Sequence, residues 1–162
     1  NGGAREDTVG GGLGNDTLFG GGENDVLNGG DGSDRVVGDG GNDVIQGGAG
    51  NDIMTGGQMD GSVPKGANTF LWERADVVTA QGLSAGFDKI TDFGAGDRLD
   101  ISAIFNGTHP ANLTNYVHVT DSTAGTTISV NVGGGVYMDL VQLLGVHESS
   151  LSSFLSHYSI IA

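Results

Sequence analysis

Large apolar residues recur every nine positions along the first third of the chain. They are Val9, Leu18, Leu27, Val36, Ile45 and Met54. Glycine-rich segments separate them, so each unit has room for only one tight turn and one very short strand. A fixed nine-residue period with one apolar side chain per unit is typical of a stacked repeat architecture. We therefore predict a coil in which two units make one turn and place odd and even units on opposite sides.

Six such nonapeptides fill residues 2–55 without a gap, and each is close to G-G-x-G-x-D-x-U-x, where U is a large apolar residue. The sixth position is always aspartate: Asp7, Asp16, Asp25, Asp34, Asp43 and Asp52. With two units per turn, the three odd aspartates stack along one side of the coil. The three even aspartates stack along the other side.

The charge of the array indicates a bound cation. Residues 2–55 contain ten acidic side chains against two basic ones, and the whole chain carries a net charge of −14. Stacked carboxylates repel one another, and one aliphatic side chain per repeat is a thin core. A hard divalent cation bound by carboxylate and carbonyl oxygens removes the repulsion and contributes folding free energy. Calcium fits best, since it accepts six to eight oxygens in irregular geometry. Ions between repeats n and n+2 give at least four enclosed Ca²⁺ sites.

These motifs resemble the RTX repeats of proteins exported by bacterial type I secretion systems, which form a calcium-bound parallel β-roll. The resemblance implies that the six aspartate carboxylates and the carbonyls of the glycine-rich turns are the calcium ligands. The turn residues concerned are Gly11, Leu13, Gly14, Gly20, Gly21, Gly22, Glu23, Gly29, Gly30, Asp31, Gly32, Gly38, Asp39, Gly40, Gly41, Gly47, Gly48, Ala49 and Gly50.

Three residues depart from the repeat pattern within the array. Arg5 and Glu23 stand at the fourth position and Asp39 at the second, where glycine is expected. Each retains a backbone carbonyl, but we expect a more strained turn there. The first repeat is accordingly expected to be frayed or half occupied.

A seventh repeat is present but interrupted. It begins at Gly56 and resumes at residue 66 after a seven-residue insertion, and Asn68 stands where aspartate is expected. A neutral amide oxygen predicts a weaker calcium site. Phe70 and Trp72 then replace the small aliphatic residues, as is expected where the roll meets a cap. We divide the chain accordingly into a β-roll over residues 1–60 and a C-terminal capping and secretion domain over residues 61–162.

The run FDKITDFGAGDRLDISAIF, residues 87–105, predicts a strand, a turn and a second strand. It resembles the signature that follows RTX repeats in type I secretion C-terminal target domains, most closely those of very large RTX adhesins. Its four aspartates, Asp88, Asp92, Asp97 and Asp100, either bind a further calcium ion or cap turns. Alternating apolar residues at 128–132 and an apolar stretch at 136–146 complete a small antiparallel β unit.

The tail begins at Ser149 and ends at Ala162. Leu151, Phe154, Leu155 and Tyr158 follow i, i+3, i+4, i+7 spacing and predict a short amphipathic helix, followed by a terminal strand. The resemblance implies that a type I secretion exporter reads this tail. The alternative is that the helix only covers the sheet.

Several function classes are excluded by what the sequence contains. Its acidity argues against nucleic acid or an anionic membrane as partner, and no apolar run approaches the roughly 20 residues of a membrane span. The sequence contains no H-E-x-x-H motif. We therefore expect an all-β, non-enzymatic, monomeric calcium module, secreted or at the bacterial surface.

We expect this module to fold on calcium binding outside the cell and to carry the secretion signal of a larger protein, with an adhesin as the first hypothesis. Two alternatives remain open. One is the C-terminal module of a secreted RTX enzyme, such as a serralysin-type protease or an alginate epimerase. The other is a module that binds glycans or surfaces in a calcium-dependent way.

Overall fold

A computed structural model describes residues 1–57, 66–77, 86–105, 110, 112–132, 135 and 137–162. The fold is all-β, as predicted, with two short helices. The strands are β1 Thr8–Leu13, β2 Thr17–Gly21, β3 Val26–Asp31, β4 Arg35–Asp39, β5 Val44–Ala49, β6 Ile53–Thr55, β7 Thr69–Leu71, β8 Asp88–Ile90, β9 Arg98–Asp100, β10 Val117–Ser122, β11 Gly125–Val130, β12 Met138–Leu144 and β13 Ser159–Ile161. The helices are α1 Arg74–Val77 and α2 Leu151–His157, and 3₁₀ turns lie at Ser102–Phe105 and Leu113–Asn115.

The strands form two sheets that face each other across a narrow coil. One sheet has the order β1-β3-β5-β7-β9-β13, and the other has the order β10-β11-β12-β8-β6-β4-β2. Val9 pairs with Leu27 and Leu27 with Ile45, always in parallel. Odd and even repeats therefore lie on opposite sides, and the prediction of two repeats per turn is confirmed.

The eighth-position side chains form the core of the roll. Leu18, Leu27, Val36, Ile45 and Met54 are buried, whereas Val9 in the first repeat is only partly buried. Phe70, Ile90 and Leu99 extend the two columns in register. The roll thus continues past the predicted array as far as β9.

The segment after residue 86 corrects one sequence-based expectation. Two strands form there, as predicted, but they do not pair with each other as a strand–turn–strand unit. Strand β8 pairs in parallel with β6, and β9 pairs in parallel with β7, in different sheets. The physical reason is the nonapeptide period: Asp88 and Asp97 are nine residues apart, and each precedes a buried apolar residue by two positions.

The C-terminal unit extends both sheets of the roll. Strands β10, β11 and β12 are antiparallel, as predicted, and β12 joins β8 in parallel. The predicted tail helix and terminal strand are present as α2 and β13, and β13 pairs with β9. The division of the chain at residue 60 stays a prediction. The sheets continue across that point in sequence, and the predicted insertion lies outside the described residues.

An aromatic cluster connects the roll to the tail helix. Phe93 lies between Phe70 of β7 and Phe154 of α2, with ring centroids 6.0 Å from each. Tyr158 completes the cluster, 4.9 Å from Phe154. Phe70 and Phe154 are both fully buried. Large apolar side chains therefore stabilise this end of the molecule, in contrast to the single aliphatic side chain of each repeat.

Candidate calcium sites

The aspartates form two continuous hydrogen-bonded ladders along the roll. In each, the backbone N–H of one aspartate donates to Oδ1 of the aspartate one full turn later. On the odd side, Asp7 donates to Asp25 at 2.8 Å and Asp25 to Asp43 at 2.9 Å. On the even side, Asp16 donates to Asp34 and Asp34 to Asp52, both at 2.7 Å. The predicted stacking of aspartates is therefore present, and Oδ1 of Asp25, Asp34, Asp43 and Asp52 accepts a backbone N–H.

The second carboxylate oxygen has no protein partner along most of the array. Among the described residues, five buried Oδ2 atoms accept no hydrogen bond; they belong to Asp16, Asp25, Asp34, Asp43 and Asp52. A buried charged oxygen without a partner is costly, so a compensating group is expected at each place. These atoms are the clearest sign of a ligand in the structure.

Glycine at the first position of each repeat makes room for this oxygen. A Cβ built on Gly20 would lie 2.5 Å from Asp25 Oδ2 and 2.6 Å from the carbonyl oxygen of Gly38. One built on Gly47 would lie 2.5 Å from Asp52 Oδ2. At Gly20, a carboxylate oxygen and a carbonyl oxygen therefore occupy the space that a side chain would fill.

Burial raises the pKa of the Asp43 and Asp52 carboxyl groups. Removal from water raises the pKa of Asp43 to about 6, with a smaller contribution from the charge of Asp25; the N–H donated by Asp25 acts in the opposite direction. The pKa of Asp52 is also raised, chiefly by burial. A cation at Oδ2 reverses this effect, because it favours the ionised carboxylate.

The donor set fits calcium. Within the described ranges, no three acidic or histidine side chains meet at one point. A cation held here takes few carboxylates per site and completes its coordination with backbone carbonyls. Calcium tolerates such a mixed, irregular shell of hard oxygens. The predicted aspartates and turn residues lie together in these turns, and their assignment as individual ligands stays a prediction.

The turns confirm two of the three expected strain points. Glycines at the second and fourth positions have positive φ, for example 102° at Gly48 and 143° at Gly50. Glu23 and Asp39 are the only described non-glycine residues with positive φ, at 73° and 70°. Arg5 does not adopt this conformation, so the first turn departs from the pattern instead of being strained.

Both ladders continue into the C-terminal region; the sequence predicted the step to Asn68 and missed the steps to Asp88 and Asp97. Asn68 Oδ1 accepts the N–H of Asp43 at 2.8 Å, and Asp97 Oδ1 accepts that of Asn68 at 2.9 Å. On the even side, Asp88 Oδ1 accepts the N–H of Asp52 at 2.9 Å. The nine-residue spacing of Asp88 and Asp97 was the available signal.

The other two candidate aspartates of this region lie at turns. Asp92 accepts the N–H groups of Gly56 and Gly57 through its two oxygens, each at 2.9 Å. Asp100 Oδ1 accepts the N–H of Ser102 at 3.1 Å and its hydroxyl at 2.7 Å. Both contacts are turn caps, the alternative that the sequence left open beside calcium binding.

Fold and ladders together define a parallel β-roll of calcium-binding nonapeptide repeats. The RTX calcium-binding nonapeptide repeat family (4 copies) matches residues 1–36 and 28–58. The solution structure of the AlgE6R3 subunit of a mannuronan C5-epimerase from Azotobacter vinelandii is similar, with 30% identity and a TM-score of 0.57. The match covers 82% of this chain and 72% of that one. The chain therefore belongs to the RTX repeat family and is a calcium-binding module.

A second subunit of the same enzyme, AlgE6R2, has 25% identity and a TM-score of 0.55, and the match covers 88% of this chain and 86% of that one. No curated protein matches the sequence. Both matches extend well beyond residues 1–60, so they include the roll and the C-terminal unit. Within the described residues, no helix has the length and apolar character required to cross a membrane.

Proposed function

We propose that this module is a calcium-operated folding switch of an exported protein. At low calcium the glycine-rich array remains unfolded, since its carboxylates repel and its core is thin. Extracellular calcium modules have dissociation constants of about 10⁻⁴–10⁻³ M. At the higher calcium concentration outside the cell, at least four ions bind in the turns and the roll forms.

The observation that supports this proposal is the set of five buried, unpartnered aspartate oxygens. Each of these oxygens lies in a ladder whose backbone hydrogen bonds are already formed, so the carboxylate oxygen is the atom that still lacks a partner. Metal binding in such a site is coupled to folding, because the unfolded chain does not hold the ligands together.

Far-UV circular dichroism during a calcium titration tests the switch. We expect the β signal to be small after exhaustive chelation and to rise with calcium, while magnesium at the same concentration fails to substitute. Isothermal titration calorimetry on the same sample gives the number of ions. A β signal that is unchanged by chelation contradicts the proposal.

We further propose that the tail from Ser149 to Ala162 serves as the type I secretion signal. The support is its resemblance to such tails; within the fold, Phe154 of this segment is buried beside Phe93. Removal of residues 149–162 should abolish export by a matched exporter. Phe154→Ala is the control, because it weakens packing but keeps the tail. Unchanged export of the truncated chain contradicts this assignment.

The likeness to the two AlgE6 subunits favours an exported polysaccharide-modifying enzyme as the parent protein, ahead of an adhesin. In that case the module assists folding or contacts the polymer. Titration of mannuronan oligomers into the calcium-loaded module, followed by NMR chemical shifts, tests polymer contact. A glycan array with and without calcium tests the adhesin alternative.

A further inference from the structure

In the odd ladder, the side-chain atom beside the first-position glycine changes from a carboxylate oxygen to an amide nitrogen after the sixth repeat. A Cβ built on Gly56 meets Asn68 Nδ2, just as one built on Gly47 meets Asp52 Oδ2. Asn68 Oδ1 is already the acceptor for the N–H of Asp43, so the other atom must be the amide nitrogen. An amide nitrogen is a hydrogen-bond donor and offers no lone pair to a cation. It lies 3.5 Å from the carbonyl oxygen of Gly66, which accepts from it.

On the even ladder a tryptophan stands beside the corresponding atom. Asp88 Oδ1 accepts the N–H of Asp52, as in every earlier step of that ladder. Its Oδ2, the atom that has no partner in Asp16, Asp34 and Asp52, accepts the indole N–H of Trp72 at 2.7 Å. Trp72 and Asp88 are 1% and 3% exposed, so this short, charge-assisted bond is shielded from water.

Asp97, the last residue of the odd ladder, also has both oxygens occupied by protein donors. Oδ1 accepts the N–H of Asn68 and Oδ2 accepts that of Gly94, each at 2.9 Å. All three ladder residues beyond the sixth repeat therefore have a protein partner at the atom that corresponds to the unpartnered Oδ2 of earlier repeats. The change is complete and coincides with the start of the aromatic cluster.

We propose that the β-roll ends in a calcium-independent segment, in which Trp72 N–H, Gly94 N–H and the Asn68 amide take the places of calcium ions. This segment comprises β7, β8, β9, β12, β13 and α2. It folds from apolar burial and presents the edges of β7 and β8, on which the calcium-dependent strands β5 and β6 assemble. The inference rests on the proposed calcium switch for the preceding repeats.

Hydrogen–deuterium exchange in excess chelator tests this division directly. We expect slow exchange at residues 69–71, 89–90 and 98–100, and exchange at least about tenfold faster at residues 17–21, 26–31 and 35–39. Trp72 is the only tryptophan, so its fluorescence should keep the short-wavelength emission of a buried indole. Fast exchange everywhere overturns this inference and leaves the switch intact. Slow exchange everywhere contradicts the switch and, with it, the division.

The substitution Asn68→Asp tests the odd ladder by a gain of function. It replaces the amide nitrogen with a carboxylate oxygen and thereby restores an unpartnered buried oxygen. We expect one additional bound calcium ion by calorimetry and a Trp72 fluorescence that now responds to chelation. Asn112→Asp is the matched control, because Asn112 is exposed and its Oδ1 likewise accepts a backbone N–H. Equal stoichiometry and equal chelator response in the two variants overturn the proposal.

The substitution Trp72→Phe tests the even ladder. It keeps an aromatic ring but removes the N–H donated to Asp88. We expect residues 89–90 to lose protection from exchange in chelator and to regain it with calcium. Protection that persists in chelator, as in the unmodified protein, shows that the indole N–H is not needed and overturns its assigned role.

Discussion

The repeats of residues 2–57 and the strands β7, β8 and β9 beyond them share one backbone arrangement and differ in the contacts that complete it. Both have parallel strands, the same hydrogen-bonded ladder and one inward-facing apolar residue per repeat. In the repeats, that residue is aliphatic or Met, and five buried aspartate oxygens have no hydrogen-bond partner. In the C-terminal region, aromatic rings pack together and protein donors complete the carboxylates. The comparison shows one parallel-strand geometry with unpartnered buried carboxylate oxygens at one end and with aromatic packing and protein-bound carboxylates at the other.

The largest expected effect comes from the aromatic cluster. Phe154→Ala should lower the free energy of unfolding by about 3–5 kcal/mol, because it leaves a cavity beside Phe93. Urea unfolding followed by Trp72 fluorescence measures the loss, which should be similar with calcium and after its removal. Leu155→Ala, at a neighbouring residue that is 43% exposed, should change stability by no more than about 0.5 kcal/mol. A loss that calcium fully restores would erase the contrast between the two regions.

The next effect belongs to the calcium-binding turns. Gly20→Ala places a methyl group where Asp25 Oδ2 and the Gly38 carbonyl approach, so it should cost about 1–3 kcal/mol and raise the calcium midpoint about tenfold or more. Gly10→Ala is the matched control, since an added Cβ there meets nothing within 4 Å. Circular dichroism titrations of both variants measure the midpoints. Equal midpoints would show that the space beside the carboxylate is not needed for calcium.

A smaller effect is expected from pH in the calcium-depleted protein. The pKa of Asp43 is about 6 in the fold and lower in the unfolded chain, so the folded state binds the proton more tightly. The resulting stability is fully present below about pH 4 and is lost as the pH rises through about 6, by at most about 1.4 kcal/mol per pH unit for one group.

Calcium-depleted protein should therefore show more β signal at pH 5 than at pH 7.5, and Asp43→Asn should reduce that difference. With calcium present, protons compete for the carboxylates, so affinity should fall at pH 5. Circular dichroism at both pH values measures the first effect and calorimetry the second. A calcium-depleted β signal that grows towards pH 7.5 would contradict the assignment of buried, uncompensated carboxyl groups.

The smallest effect is expected at the strained turn of the third repeat. Glu23 has a φ of 73°, a conformation that glycine adopts without strain. Glu23→Gly should stabilise the calcium-loaded roll by less than about 1 kcal/mol, because the relief of strain is partly offset by a more flexible unfolded chain. Thermal unfolding measures the gain. Glu23→Ala removes the charge and keeps the strain, so an equal gain in that variant would assign the effect to charge.

The array itself was predictable from sequence because its signals are local. Nine-residue spacing gives the two repeats per turn, the odd and even ladders and the strain at Glu23 and Asp39. The tail helix followed from the spacing of Leu151, Phe154 and Tyr158. These features depend on neighbours at fixed distances along the chain.

The continuation of the odd ladder to Asn68 followed from the interrupted seventh repeat. The steps to Asp88 and Asp97 were not predicted, because the residues between Trp72 and Asp88 interrupt the count of nine. The bond from Trp72 to Asp88 joins residues with no periodic relation, so no sequence pattern indicated it. The pairing of β12 with β8 likewise depends on packing between segments far apart in the chain. Long-range contacts of this kind require the three-dimensional structure.

Within the six repeats, the constant separation of 18 residues between ladder partners has a thermodynamic consequence. Each turn contacts only the turn before it and the turn after it, so the roll behaves as a one-dimensional chain of coupled units. Under the proposed calcium switch, an ion bound in one turn would order the ligand oxygens of the next turn, and this coupling would act only between neighbours. The steepness of a calcium titration therefore measures how many turns act as one cooperative unit. A single defective turn should split that unit in two, with a sharp transition on one side and a broad one on the other.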